Sequence, residues 1–245
     1  MQTPISLLAR AADFVGQTRA GPKLRGPKLR PGRAARRFFA GPEQATPGAA
    51  DPVAVCETSM GTFKIQLLLE QMPITASNFI DLAKSGFYDG LHFHRVIPDF
   101  MCQLGCPYTR NLGPLPYTMN PLNLDQPGTG GPPVGSKFEV LDGSRRIIVR
   151  TRNYENPRGN IPDELTCKIS NSKGTINMAN SGMPNSGSSQ FSINVADNEF
   201  LDFWDKQTDS AHPVFGYVVQ GMDVVEEISK VQTGAKDSPE APISM

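Results

Sequence analysis

The chain has 245 residues, of which 38% are hydrophobic, enough for one large all-β domain with a real core or for two small domains. Gly and Pro are abundant, with 23 and 22 residues, and they favour many short elements joined by turns over long helices. No apolar run approaches the roughly 18 residues that a membrane span needs, so the sequence predicts no transmembrane segment.

The net charge of zero conceals an uneven distribution. Residues 1–40 contain nine Lys and Arg and a single acid, Asp13, a balance of +8. Residues 41–245 contain the other 15 basic residues and 23 acidic ones, a balance of −8. The body of the protein is therefore mildly acidic and gives no support for a nucleic-acid surface, so we expect no nucleic-acid partner.

Residues 1–40 have the composition of an organelle presequence, because they are rich in Arg, poor in acids and open with a short amphipathic helical pattern. The motif RRFFA resembles a mitochondrial processing site, with Arg37 two residues before Phe39. We expect import into an organelle, a mitochondrion ahead of a plastid; a solvated basic tail is the alternative. Residues 41–52, rich in Pro, Gly and Ala, are predicted to form a linker to a folded domain at 53–245.

After the linker, the predicted elements are short strands and two helices. A hairpin is predicted in VAVCET and FKIQLLLE. One helix begins at Pro73 and ends at Gly86, and the second is GMDVVEEISKV, with apolar residues at helical spacing. Further strands are predicted in LHFHRVI, FMCQLG, GTINMA, SQFSINV and PVFGYVV. This pattern favours a closed antiparallel barrel capped by helices.

A long segment rich in Pro and Gly lies between Gly105 and Gly174. It is too long for an ordinary hairpin loop. We expect it to carry a binding function or to cover part of the domain.

A single arginine, Arg95, lies in the mostly apolar run FHRVIPDFMCQLG. Strand alternation would place Phe93, Arg95 and Ile97 on one face. A guanidinium among large hydrophobic side chains is costly unless a polar group meets it. Either a carboxylate inside the protein pairs with Arg95, or Arg95 faces a pocket that binds a ligand.

The cysteines and histidines predict neither a metal site nor a cofactor. The four cysteines, Cys56, Cys102, Cys106 and Cys167, contain no C-x-x-C pair, and the three histidines lack metal-binding spacing. We interpret these cysteines as small buried hydrophobic residues.

Several segments resemble the signature segments of the cyclophilins, namely FHRVIPDFMCQ, GTINMANSGMPNSGSSQF, HPVFGYVVQGMDVV and TASNFIDLAKSGFYDG. The resemblance covers about residues 53 to 240 and identifies 53–245 as a cyclophilin-like domain. It implies an all-β dominated fold, an eight-stranded antiparallel barrel capped by two helices. In this chain the last strand would be shortened, and a long excursion would run between residues 106 and 173. The resemblance also implies peptidyl-prolyl cis-trans isomerase activity on proline-containing polypeptides.

The same resemblance implies the site residues. Arg95 would be the catalytic donor, and Gln103 would hold Arg95 and the substrate carbonyl in register. An apolar seat for the proline ring and the rim around it would complete the site. The implied substrate-binding residues are Phe100, Met101, Asn180, Gln190, Ser192, Phe200, Leu201 and His212.

Two of these positions depart from the family pattern. Ser192 stands where the family has a phenylalanine that forms the floor of the proline pocket, and Phe200 stands where many relatives have tryptophan. We therefore expect an isomerase that assists protein folding in an organelle with reduced activity. Two alternatives stay open: a weak or inactive accessory subunit of a large organellar complex, and a module that binds proline motifs without turning them over.

Overall fold

A computed structural model of the chain describes residues 51–110, 127–141, 147–152, 159–205 and 211–245. The presequence prediction falls on residues outside these ranges. The described residues contain nine strands and two α-helices. The strands are β1 (Val53–Thr58), β2 (Gly61–Leu67), β3 (Arg95–Ile97), β4 (Met101–Leu104), β5 (Lys137–Leu141), β6 (Ile147–Thr151), β7 (Thr175–Met178), β8 (Phe191–Asn194) and β9 (Val214–Gln220).

Seven of these strands form one curled antiparallel sheet in the order β1-β2-β9-β7-β8-β4-β3. Alternation along β2 explains why one face of the sheet is the core: Phe63 and Ile65 point inward and are fully buried, whereas Lys64 and Gln66 point outward. The predicted antiparallel barrel architecture is confirmed.

Two helices cover the sheet, as predicted: α1 (Pro73–Lys84) and α2 (Met222–Ser229). Proline at the first helical position suits α1, because that residue needs no N–H donor there. The ring of Phe79 on α1 lies 5.1 Å from that of Tyr88 and 5.3 Å from that of Phe191, so the helix is anchored in an aromatic cluster. Ile80, at the edge of this face, is only partly buried.

The last residues of the chain link the two ends of the sheet. The N–H of Phe93 donates to the Ile243 carbonyl at 3.0 Å, and the N–H of Ser59 donates to the Ser244 carbonyl at 2.9 Å. Ser244 also forms an isolated bridge with His92. The last residues thus form an isolated bridge beside the seven-stranded sheet and no regular eighth strand, and the predicted strand LHFHRVI is regular only from Arg95 onward.

The excursion between residues 106 and 173 contains a hairpin, β5–β6, that the sequence analysis did not predict. Phe138 on β5 is buried against α1, whereas Ile147 and Val149 on β6 are 55% and 59% exposed. Because β6 carries apolar side chains toward solvent, its sequence lacks the polar–apolar alternation that would mark a half-buried strand.

No helix among the described residues is long and apolar enough to cross a membrane.

Candidate functional site

Four outward-facing residues form a row across neighbouring strands of the sheet. The register pairs Arg95 of β3 with Gln103 of β4, Gln103 with Ser192 of β8, and Ser192 with Asn177 of β7. Directly paired residues of antiparallel strands project their side chains from the same face. Their chain neighbours point the other way, and those that are fully buried in the core are Val96, Cys102, Leu104, Ile176, Phe191 and Ile193.

Arg95 lies on this outer face, not among the core hydrophobes. Its side chain is 43% exposed, and its Nε donates to Oδ2 of Asp237 at 3.2 Å. The two alternatives of the sequence analysis are therefore combined: a carboxylate meets the guanidinium, yet the pair is open to solvent. An exposed pair of this kind contributes little to stability, so the arginine is not needed for the fold.

Gln103 and Gln190 join the row to the excursion. Nε2 of Gln103 donates to Oε1 of Gln190 at 3.2 Å. Nε2 of Gln190 in turn donates to the carbonyls of Gly128 and Gly130, at 3.0 and 2.8 Å. Gln103 is thus hydrogen-bonded to Gln190, and within the described part of the chain Asp237 is what holds Arg95.

The backbone just before Gln190 is fixed by buried side chains from elsewhere. Nδ2 of Asn78 donates to the Ser188 carbonyl at 2.7 Å, and the Tyr88 hydroxyl donates to the Ser189 carbonyl at 3.1 Å. Both donors come from α1 or the segment that follows it. These two hydrogen bonds therefore hold the backbone that leads into Gln190 in place.

The other end of the row is polar and incompletely hydrogen-bonded. Ser192 is 7% exposed, and its side chain forms no hydrogen bond with the residues that the structure describes. Nδ2 of Asn177 donates to Oδ1 of Asn171 at 2.6 Å, but its own Oδ1 is buried without a described partner. A floor of this composition suits a proline ring less well than an apolar one, because buried polar groups need partners.

The aromatic and apolar side chains of the predicted site lie on β4 or in the segments next to β4 and β8. The rings of Phe100 and Phe200 are stacked with their centroids 5.6 Å apart, and Phe200 is 46% exposed. Met101, on the row adjacent to Gln103, is buried, as is Leu201 on the short 3-10 helix Glu199–Leu201. These residues are the apolar walls that the resemblance implies, whereas Ser192 and Asn177 are polar.

A buried network centred on Asn171 connects the segments that carry those walls. Nδ2 of Asn171 donates to Oδ1 of Asp202 at 2.9 Å and to the His212 carbonyl at 3.1 Å. Nδ2 of Asn198 donates to the Phe100 carbonyl at 2.9 Å. Sequence reasoning missed this network, because Asn171 lies in an irregular segment and Asp202 and the His212 carbonyl are 31 and 41 positions away in the chain.

Asn180 and His212 lie at the rim. Nδ2 of Asn180 donates to the Ala211 carbonyl at 2.7 Å, and Nδ1 of His212 donates to the Met178 carbonyl at 3.0 Å. Burial lowers the pKa of His212, so this ring is neutral at pH 7. A cavity of about 140 Å³ opens beside Asn180, lined by Gln103, Gly128, Ala179, Asn180, Ser181, Ser186, Ser188 and Gln190.

The chemistry that this face offers is that of a fixed hydrogen-bond donor. Among the residues that the structure describes, no three His, Cys, Asp or Glu side chains are grouped so that they could hold a metal ion. Burial raises the pKa of the Cys102 thiol on β4 to about 12, so that it is no nucleophile at neutral pH. Arg95 is the exposed cation of the row.

The comparison with protein families identifies this architecture. Residues 53–245 match the family described as cyclophilin type peptidyl-prolyl cis-trans isomerase/CLD. The chain belongs to the cyclophilin family. This cyclophilin is similar to a peptidyl-prolyl cis-trans isomerase of Acinetobacter baylyi, with 32% identity over 200 residues that cover 80% of this chain and 84% of the relative. It is also similar to peptidyl-prolyl cis-trans isomerase A of Dickeya dadantii, with 38% identity over 176 residues, 72% of this chain and 70% of the relative.

Solved structures agree on the fold. The crystal structure of a cyclophilin type peptidyl-prolyl cis-trans isomerase from Cryptosporidium parvum superposes with a TM-score of 0.57, covering 80% of this chain and 93% of that chain at 21% identity. Family and relatives together make this cyclophilin an enzyme, a peptidyl-prolyl cis-trans isomerase.

Proposed function

We propose that this cyclophilin isomerises X–Pro bonds on the outer face of β3, β4 and β8, with Arg95 as the catalytic donor and with reduced activity because of Ser192. The observation that carries the proposal is the exposed guanidinium of Arg95, held in one row with Gln103 and Ser192.

Rotation about an X–Pro bond requires a donor but no proton transfer. The barrier of about 18–20 kcal/mol arises from amide resonance. Without catalysis the rotation takes tens to hundreds of seconds. As the bond twists, resonance is lost and the proline nitrogen becomes a better hydrogen-bond acceptor. A fixed guanidinium stabilises that twisted form more than the planar ground state, which is what lowers a barrier.

The residues beside Arg95 support substrate binding. Gln103 and the cavity next to Gln190 can accommodate the peptide flank, and Phe100, Met101 and Leu201 can contact the proline ring. Ser192 replaces a large apolar contact by a hydroxyl. Truncating a buried phenylalanine costs about 3–5 kcal/mol in a typical core, and here part of that loss falls on substrate binding because the face is open to solvent.

The test is turnover of a short proline peptide by the Arg95→Ala variant. We expect kcat/KM to fall by about 10²–10³, the usual effect of removing one preorganised donor. The free energy of unfolding should change by less than about 1 kcal/mol, since the pair with Asp237 is exposed. Wild-type turnover by Arg95→Ala would overturn the assignment. Lys173→Ala, which breaks the exposed pair between Lys173 and Glu226, is the matched control.

We further propose that the chain acts in an organelle, a mitochondrion ahead of a plastid. The support is the composition of residues 1–40, with a balance of +8 and a motif that resembles a processing site. N-terminal sequencing of the protein from its native source tests this. A mature N-terminus near Phe39 is expected, and recovery of Met1 would contradict removal of a presequence.

The second candidate function is that of an accessory subunit of a large organellar complex, which keeps the cyclophilin fold for its contacts. The specific observation in its favour is the polar floor formed by Ser192 and Asn177. The two functions differ in whether Ser192→Phe, which supplies the large apolar side chain that the family has at this position, raises turnover.

A further inference from the structure

The carboxylate that meets Arg95 comes from a distant part of the chain. Asp237 lies 142 residues after Arg95, in the short 3-10 helix Ala235–Asp237. Its Oδ2 accepts from Nε of Arg95 at 3.2 Å, and the Asp237 side chain is 46% exposed. No other interaction with Arg95 as donor is present among the described residues, so both terminal nitrogens of the guanidinium stay available on the outer face.

The turn that presents Asp237 is a closed unit. The N–H of Gly234 donates to the Ser238 carbonyl at 2.8 Å, and the N–H of Glu240 donates to the Gln232 carbonyl at 2.9 Å. A bridge between Thr233 and Pro239 lies between these two bonds. The backbone of the turn that carries Asp237 is therefore closed by pairing on both sides.

The backbone at the tip of this turn is in an uncommon conformation. Lys236 and Asp237 have φ values of 60° and 58°, two consecutive non-glycine residues in the left-handed region. Such conformations cost free energy and are found where the surroundings require them, often at functional sites. In this turn, one of the two residues is Asp237, whose side chain meets Arg95.

We infer that Asp237 is a positioning residue for Arg95, which fixes the guanidinium by its Nε so that the terminal nitrogens face the substrate. This inference rests on the proposed role of Arg95 as the donor. An arginine side chain has many rotamers, and holding it in the productive one avoids an ordering cost when the twisted amide forms. Because both side chains are close to half exposed, solvent screens the carboxylate charge, and orientation outweighs the partial neutralisation of the cation.

An opposite interpretation makes a different prediction. If the carboxylate competed with substrate for the guanidinium, removing it would raise activity. The sign of the change in turnover therefore separates positioning from inhibition.

The experiment compares Asp237→Gly with Asp237→Asn in the full chain. Glycine and asparagine both tolerate the left-handed backbone, so neither variant strains the turn. Asparagine keeps an oxygen that can accept from Nε of Arg95, whereas glycine keeps none. With a proline peptide, we expect Asp237→Gly to lower kcat by about tenfold with KM changed less than about twofold, and Asp237→Asn to stay within about threefold of the parent.

Two controls make the outcome specific. Lys236→Gly adds the same flexibility to the same turn while the carboxylate remains, and its turnover should match that of the parent. In an Arg95→Ala background, Asp237→Gly should produce no further loss, because a residue that acts through Arg95 has nothing left to position.

The results that would overturn the inference are distinct from those that would overturn the proposed function. Unchanged or raised turnover in Asp237→Gly, an equal loss in Asp237→Asn, or an equal loss in Lys236→Gly would each contradict positioning by the carboxylate. A further tenfold loss in the Arg95→Ala background would do so as well. Full activity of Arg95→Ala alone would instead remove the role of Arg95 itself.

Discussion

The sheet and the excursion between residues 106 and 173 both border the candidate site, but different contacts stabilise them. The sheet rests on an apolar inner face, where side chains such as Phe63, Ile65 and Phe191 are fully buried. The excursion is fastened to α1 by buried polar side chains, Arg152 and Glu164. The stabilisation from apolar burial is non-directional, whereas each polar contact depends on one partner in one position. Substitutions should therefore affect the two regions in different ways.

Arg152 attaches the excursion to α1 through two buried or part-buried side-chain contacts. Its side chain is 2% exposed, its Nε donates to Oδ1 of Asn78 at 3.0 Å, and its Nη2 pairs with Oδ2 of Asp81 at 2.7 Å. We expect Arg152→Met to lower the free energy of unfolding by about 3 kcal/mol, since it removes several hydrogen bonds of a buried cation at once. Urea unfolding measures this. The expected decrease in the free energy of unfolding is moderate, because Asp81 is 39% exposed and water can hydrate its carboxylate once the Arg152 side chain is gone.

The control for Arg152→Met is Lys173→Met. Lys173 pairs with Glu226 at 2.6 Å, but both side chains are substantially exposed. Its loss should change the unfolding free energy by less than about 1 kcal/mol. Equal effects of the two substitutions would contradict the idea that burial makes the Arg152 attachment strong.

The contrast between the regions also explains what the sequence could predict. In β2, the alternation of Phe63, Lys64 and Ile65 reports burial directly, because one face meets the core. In β6, Ile147 and Val149 are apolar yet exposed, so no such pattern exists. Arg152 contacts Asp81 and Asn78, which precede it in the chain by 71 and 74 positions, respectively. No local sequence pattern can show contacts over that separation.

His94 lies where the two regions meet. It immediately precedes Arg95, and its ring is close enough to Gly128 that a Cβ there would stand 3.4 Å from its Cδ2. Neither buried ring nitrogen has a hydrogen bond of normal geometry among the described residues, although the Gln190 side chain is close enough to oppose the lowering of the pKa in part. Burial lowers the pKa of His94 from 6.5 to about 4. In the unfolded chain the ring takes up a proton near pH 6.5, so stability that is present above this pH is lost as pH falls toward 4.

When the pH is lowered from 7 to 5, we expect protonation of His94 in the unfolded chain to reduce the free energy of unfolding by about 2 kcal/mol. His94→Leu should remove most of that difference, because leucine has no group that takes up a proton on unfolding. Urea unfolding of both proteins at the two pH values measures it. His212, whose pKa burial also lowers, leaves a smaller slope of the same sign in the variant. A variant as acid-sensitive as the parent would show that His94 is not the group responsible.

Ser192 allows a test on the sheet side. Ser192→Phe should raise kcat/KM for a proline peptide by about tenfold, because the ring adds apolar contact area to the floor while Arg95 and Gln103 stay in place. Ser192→Ala is the matched control: it removes the hydroxyl without adding a ring, so a rise there would point to the hydroxyl itself. If turnover by a well-folded Ser192→Phe stays at background, the accessory-subunit function is favoured over the enzyme.

The candidate site could be predicted only in part for a similar reason. Resemblance supplied Arg95, Gln103 and the surrounding side chains, since they lie in contiguous segments of the chain. Asp237 and Asn171 were missed because their importance arises from partners far away in sequence. A lone aspartate in a C-terminal turn has no local feature that points to an arginine 142 residues earlier.

Glu164 provides the smallest and most local test of the excursion. Its two carboxylate oxygens accept from the N–H groups of Ile74 and Thr75, at 3.0 and 2.8 Å, at the start of α1. These groups have no partner within a helix, so a side chain from the excursion caps them. Burial raises the pKa of Glu164, against the lowering effect of those two N–H groups. The folded protein therefore holds a proton on Glu164 more readily than the unfolded chain does. The contribution of this residue to stability declines as pH rises from the pKa of the unfolded chain through the higher pKa of the folded protein.

The cap and the buried charge act in opposite directions, which limits the net effect of removing both. We expect Glu164→Ala to lower the free energy of unfolding by about 1 kcal/mol at pH 7, the usual cost of losing a helix cap. Glu70→Ala, an exposed acid three residues before α1, should change it by less than about 0.5 kcal/mol, which distinguishes direct capping from a general effect of negative charge near the helix N-terminus. Because Glu164 belongs to the excursion and its partners to α1, the loss should also raise amide exchange at Ile74 and Thr75 above that of the sheet. If exchange rises equally in β2, the excursion and the sheet unfold as one unit, and the contrast between their stabilising contacts does not extend to their local opening.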